Sequence, residues 1–68
     1  MMTFKPNTVY KAKNWGGLMV EIIAIDGEVC YHIVKGKVVQ DRVRDFKNFR
    51  QVRPITDKEK KFLNAFGK

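Results

Sequence analysis

Cys30 and His32 are the only cysteine and the only histidine of the chain, two positions apart in the run EVCYHIV. If that run is a strand, the two side chains share a face. A thiol beside an imidazole is the start of a nucleophile–base pair or of a metal site. Both chemistries need more than the chain supplies. A nucleophile pair needs a third group to orient the base, and a zinc site needs further sulfur or nitrogen ligands. The chain contains no serine, which removes the Ser-His-Asp arrangement. Glu21, Asp26 and Glu28 gather around a turn, where carboxylates are ordinarily solvated rather than paired for hydrolysis. Gly16-Gly17 is too short to cradle a phosphate, and neither a P-loop nor a dinucleotide fingerprint occurs. The residue types therefore point away from an enzyme, with no metal and no cofactor expected, and Cys30 and His32 read as part of a half-buried strand face.

Anion binding is the chemistry for which the residues are present. The formal charge is +7, and it is unevenly spread. Residues 1–17 carry Lys5, Lys11 and Lys13 without an acid, and residues 18–34 carry only Glu21, Asp26 and Glu28. Residues 35–53 hold Lys35, Lys37, Arg42, Arg44, Lys47, Arg50 and Arg53 against Asp41 and Asp45. Four of these seven cations are arginines, whose planar fork suits bidentate phosphate or carboxylate contacts. Trp15 lies in a glycine-rich break between Lys13 and Gly16, where an indole can stack on a base or fill a partner's pocket. The candidate nucleic-acid-binding set is thus Lys11, Lys13, Trp15, Arg42, Arg44, Lys47, Arg50 and Arg53. Its contacts would fall on phosphates, carry little sequence information and weaken steeply with salt. The competing reading is a solvated basic face.

A chain of 68 residues makes one domain, and at this size it buries only about 60% of the surface its unfolded form exposes. The elements that must position the cations are short strands. TVYKAK follows the turn signal Pro6-Asn7 and keeps Val9, Lys11 and Lys13 in phase. LMVEIIAID is the most strand-like run, and a bulge near Ile23-Ala24 returns Ile25 to the core side. Asp26-Gly27 predicts a two-residue hairpin turn of type I′, with positive φ at both positions. Lys35-Gly36 marks a second turn, which gives a three-strand antiparallel meander. Asp45 is placed to cap one helical turn, DFKNF, putting Phe46 and Phe49 on one side. QVRPI then makes a short closing strand, with Val43, Phe46, Phe49 and Val52 assigned to the core.

The last segment changes period. Thr56-Asp57-Lys58-Glu59 fits a capping box, Phe62, Leu63 and Phe66 form one stripe, and Gly67 supplies a stop. A helix this short is marginal alone, so its stripe must dock. The domain's own sheet is the expected seat, and a partner protein or a second copy, making a homodimer, is the alternative. Residues 1–14 carry no long apolar run, so no secretory signal is expected. LMVEIIAI is interrupted by Glu21 and is too short to cross a bilayer. A single thiol and no signal fit a reducing cytoplasm.

The order TVYKAKNWGGLMVEIIAIDGEVCYHIV, followed by VRDFKNFRQV, resembles Tudor-like and KOW-like SH3-type barrels. It is also similar to small uncharacterised proteins of phages and prophages. The resemblance covers residues 4–53 and implies a mainly β fold, a five-stranded SH3-like barrel, with the helix of residues 56–67 as an addition. It implies that the closing strand runs near the first strand, bringing Arg50 and Arg53 toward Lys11 and Lys13. Tudor-like barrels hold methylated cations in aromatic cages, but here the core claims Tyr31, Phe46 and Phe49. The expected function is a non-enzymatic module that contacts DNA or RNA with low sequence specificity. The alternative is a phage-type protein that modulates an acidic host protein through the same basic face or through Phe62, Leu63 and Phe66.

Overall fold

A computed structural model describes residues 4–66. The fold is mainly β: five antiparallel strands in one sheet, followed by a C-terminal helix. The strands are β1 (Thr8–Lys13), β2 (Met19–Asp26), β3 (Val29–Val34), β4 (Lys37–Arg42) and β5 (Lys47–Pro54), and the helix is α1 (Asp57–Phe66). They lie in the order β4-β3-β2-β1-β5, so the last strand returns beside the first. One 3₁₀ turn, Val43–Asp45, joins β4 to β5.

Two tight turns make the meander, and each takes the form its residues permit. The β2–β3 pairing ends at Asp26↔Val29, so the central residues are Gly27 and Glu28, and only Gly27 has positive φ (62°). That is the type II′ pattern, with glycine in the first central position. It replaces the type I′ turn expected over Asp26-Gly27. The type I′ pattern occurs instead between β3 and β4, where Lys35 (φ 50°) and Gly36 (φ 75°) are both left-handed.

Both faces of the sheet are covered, by different devices. On the inner face Ala12, Ile22 and Cys30 are wholly buried, with Val20, Ile25, Val43, Phe46 and Phe49 packed against them. The β2–β3 register shifts between Ile22 and Ala24, and this bulge pairs Ile25 with Cys30 on the core side, as the sequence predicts. On the outer face Val9 and Ile23 are only 0% and 3% exposed. Each alternates with an inward neighbour, Tyr10 and Ile22 respectively, so the sheet itself cannot cover them. The cover is α1. Its first turn is tied to Arg53 of β5, opposite Val9, and its last residue, Phe66, packs edge-on against Tyr31 of β3 at 5.4 Å. Ten residues of helix span about 15 Å, which matches the three strand spacings from β5 to β3, about 14 Å. Burying each aliphatic side chain in such a layer contributes about 1.5–3 kcal/mol.

The capping box forms as predicted. The Glu59 amide donates to Thr56 Oγ1 (3.2 Å), and the Thr56 amide donates to Glu59 Oε1 (3.0 Å). The expected stop at Gly67 lies outside the described residues.

The region before β5 differs from expectation. The helical turn covers Val43–Asp45 and not DFKNF, and the Asp45 carboxylate accepts from Trp15 and Arg42 rather than capping a turn. Phe46 and Phe49 still face the core together, for another reason. Between Lys11↔Arg50 and Lys13↔Lys47, β5 holds one residue more than β1, and Asn48 there adopts φ 59°. This bulge resets the alternation, and asparagine tolerates the left-handed conformation. A second shift lies opposite Val9/Tyr10, where Val9 pairs with Arg53 and Tyr10 with Gln51. Val52 is the extra residue, and it is turned outward and exposed rather than serving the core.

Candidate nucleic-acid interface

The β1–β5 ladder joins cations from both ends of the sequence. Lys11 lies opposite Arg50 and Lys13 opposite Lys47. Among the described residues, Lys11, Lys13, Arg44, Lys47 and Arg50 take part in no ion pair. Two predicted members of the set stand apart from these five. Arg53 grips Glu59 with both arms, Nη1 to Oε1 at 2.9 Å and Nη2 to Oε2 at 2.8 Å, and reaches Glu21 at 3.5 Å. Arg42 Nε meets Asp45 Oδ2 at 3.3 Å. Both guanidinium groups already hold a carboxylate.

Trp15 is 84% exposed at the tip of a closed loop. The Asn14 amide donates to Leu18 O, the Gly17 amide to Asn14 O, and the Leu18 amide to Asn14 Oδ1, each at 3.0 Å. Gly17 has φ 80°, so the loop follows the three-residue hairpin pattern of a turn ending in a left-handed residue. Only this second glycine uses its conformational freedom. The indole Nε1 donates to Asp45 Oδ1 at 3.3 Å, across a sequence separation of 30 residues. The sheet therefore curls until the β1–β2 loop meets the β4–β5 connection, and Asp45 holds Trp15 with one oxygen and Arg42 with the other.

Two hollows adjoin Trp15, and they differ. One is a small cleft lined by Lys13, Trp15, Arg44, Asp45, Phe46 and Lys47, with about 80 Å³ of free volume. That is well below the roughly 300–1,000 Å³ of a small-molecule site. The other is an open depression with His32, Asp41, Arg42 and Asp45. There His32 Nε2 and Asp41 Oδ2 lie 2.9 Å apart, next to the inner core. The His32–Asp41 pair is a diagonal contact of the β3–β4 hairpin, fixed by its register, whereas the Asp45 bridge joins two loops whose meeting depends on the curl of the sheet, and neither is apparent in the sequence. Nor is the role of Phe4, whose ring packs at 5.3 Å from Tyr10 and 5.0 Å from Phe49.

Cys30 is wholly buried. Burial pushes its thiol up to about 11, and the Asp41 and Asp45 carboxylates add to the effect. At neutral pH it is a protonated thiol, a poor nucleophile and a poor ligand. Among the described residues no three His, Cys, Asp or Glu side chains gather as a metal site. No helix among them is long and apolar enough to cross a membrane.

The stripe named for the alternative partner site faces the protein itself. Phe62 and Leu63 are half-buried, and Phe66 rests on Tyr31 with 45% of its surface exposed. Fold and site thus define a small mainly β module with one basic, tryptophan-bearing face. No protein-family model, characterised protein or solved structure matches the chain.

Proposed function

We propose that this protein is a non-enzymatic, SH3-like binding module that contacts nucleic acid through the face formed by Lys11, Lys13, Arg44, Lys47 and Arg50. The observation that carries this reading is the Lys13↔Lys47 cross-strand pair, with Lys11↔Arg50 beside it. Like charges directly opposite each other destabilise a sheet, and here none of the four has an internal ion-pair partner among the described residues. Lys11 also faces Glu21 of β2, whereas Lys13 faces Met19 there, so the repulsion is greatest at Lys13↔Lys47, and a polyanion relieves it. A phosphate backbone supplies such a row of charges without requiring a deep pocket. The partner-protein reading through Phe62, Leu63 and Phe66 has less support, because Phe62 and Leu63 are already half-buried and Phe66 packs on Tyr31.

The test is a titration of labelled single- and double-stranded DNA and RNA, read by anisotropy at about 50 and about 200 mM salt. Binding at the lower salt, weakened severalfold or more at the higher salt and lost in Lys13→Glu/Lys47→Glu, is the expected result. Absence of binding to all four probes at the lower salt removes the reading.

A further inference from the structure

Resting on that reading, we infer that the site is one for single-stranded nucleic acid, with Trp15 as a pre-set platform on which an unpaired base stacks. Three observations support it. The indole is the most exposed large apolar side chain among the described residues, at 84%, yet it is not loose. Its Nε1–H is held by Asp45, its loop is closed by three hydrogen bonds around Asn14, and Asp45 is itself held by Arg42. An aromatic ring tethered by its edge leaves its faces free, and part of the ordering cost of presenting it is met before a ligand arrives.

The second observation is the surroundings of the ring. In the cleft beside it, Lys13, Arg44 and Lys47 outnumber the one carboxylate, Asp45. In the neighbouring depression, Asp41 and Asp45 outnumber the one guanidinium, Arg42. A phosphodiester chain is drawn to the first more than to the second, so the strand runs along Lys13 and Lys47 toward Lys11 and Arg50 while a base turns onto the indole. The third is size. About 80 Å³ admits the edge of a base between ring and cations and does not enclose a nucleotide, which suits stacking without base readout. In a duplex every base face is already stacked, and freeing one costs a few kcal/mol. A platform of this kind therefore selects single strands, while the cations alone accept either form.

Trp15 is the only tryptophan of the chain, so its fluorescence reports the contact directly. Labelled oligothymidylate and a duplex of equal length are titrated at low salt, with label anisotropy and tryptophan emission followed together. Single strand is expected to quench Trp15 in step with binding, and the duplex to bind more weakly with little quenching. By anisotropy, Trp15→Ala is expected to lower single-strand affinity about 5- to 160-fold, the range for losing one base–aromatic stack, with duplex affinity nearly unchanged. Trp15→Phe retains most of the preference. Asp45→Ala, which frees the indole, weakens single-strand binding even though it removes a negative charge and releases Arg42. Asp45→Asn keeps an acceptor for Nε1–H and does not. If oligothymidylate binds but leaves the emission unchanged, and Trp15→Ala binds it equally well, the platform is wrong while the nucleic-acid reading stands. If neither strand form binds at low salt, the nucleic-acid reading itself fails.

Discussion

Glu59 does two jobs with one carboxylate. Its Oε1 accepts the Thr56 amide at 3.0 Å, closing the capping box, and both oxygens receive the Arg53 fork. The hydrogen bonds from Arg53 hold its carboxyl well below the usual range, at about 2 from an ordinary 4.5, against the opposing effect of burial. Because the pKa is depressed in the folded protein, the stabilisation is full above the ordinary carboxylate pKa. It fades as pH falls from about 4.5 toward about 2. Glu59→Gln separates the two jobs, since glutamine also serves at the third position of a capping box but cannot pair with Arg53. The variant is expected to lose on the order of 1–2 kcal/mol at neutral pH, a figure discounted for the partly exposed Arg53. That deficit should shrink toward zero near pH 2, as measured by urea unfolding across the range. A deficit that stays constant with pH would show that the ion pair contributes nothing. Of these contacts, the Thr56–Glu59 box was legible from four consecutive residues. Arg53 has the look of a free cation in the sequence because its partners, Glu59 and Glu21, come from separate elements whose approach no local pattern encodes.

At the scale of elements, α1 is the outer half of a second core. Its Phe62 and Leu63 are half-buried, and beneath the helix Val9 and Ile23 are buried on the face opposite the main cluster. Full removal of a buried phenylalanine costs about 3–5 kcal/mol. Phe62→Ala is therefore expected to cost about 2 kcal/mol and Phe66→Ala, at the exposed end, about 1 kcal/mol, with denaturation midpoints as the measure. No change in either would mean that α1 is not seated on its own sheet in solution. The helix was visible in the sequence because its cap and its three-to-four-residue stripe are periodic and local. Its seat was less so: Ile23 shares a strand face with Glu21, and alternation alone does not say that this face is covered. The β5 bulges were hidden for a related reason. Asn48 in a left-handed conformation is compatible with a turn or a bulge, and only the pairing of β5 with β1 decides between them. Phe46 and Phe49, three apart, fit a helical turn as well as they fit a strand with one residue inserted. Val52 looked like core because its type suits a strand, and the second bulge is what turns it outward.

For the whole molecule, the placement of charge matters more than its total of +7. The segment-by-segment excess of cations was readable, and so was their convergence once the last strand was expected beside the first. What the linear charge pattern could not reveal is which cations remain available. The ladder leaves Lys11, Lys13, Lys47 and Arg50 on the β1–β5 strip, with Arg44 at its end, whereas Arg53 is held by Glu59 and Glu21 and Arg42 by Asp45. This division makes a quantitative prediction, because each phosphate neutralised on a single strand contributes about −0.7 to the slope of log K against log salt. Engagement of all five free cations gives a slope of about −3.5, whereas a count that also included Arg42 and Arg53 would give about −5. Lys47→Gln should make the slope shallower by about 0.7, and Arg53→Gln, despite removing the same formal charge, should leave it unchanged. The measurement is oligothymidylate affinity at four or more salt concentrations, with each variant first shown to be folded by its denaturation curve. Equal changes in slope for Lys47→Gln and Arg53→Gln would mean that the Arg53–Glu59 clamp opens to bind phosphate. In that case the boundary of the basic face would have to be redrawn to include the foot of α1.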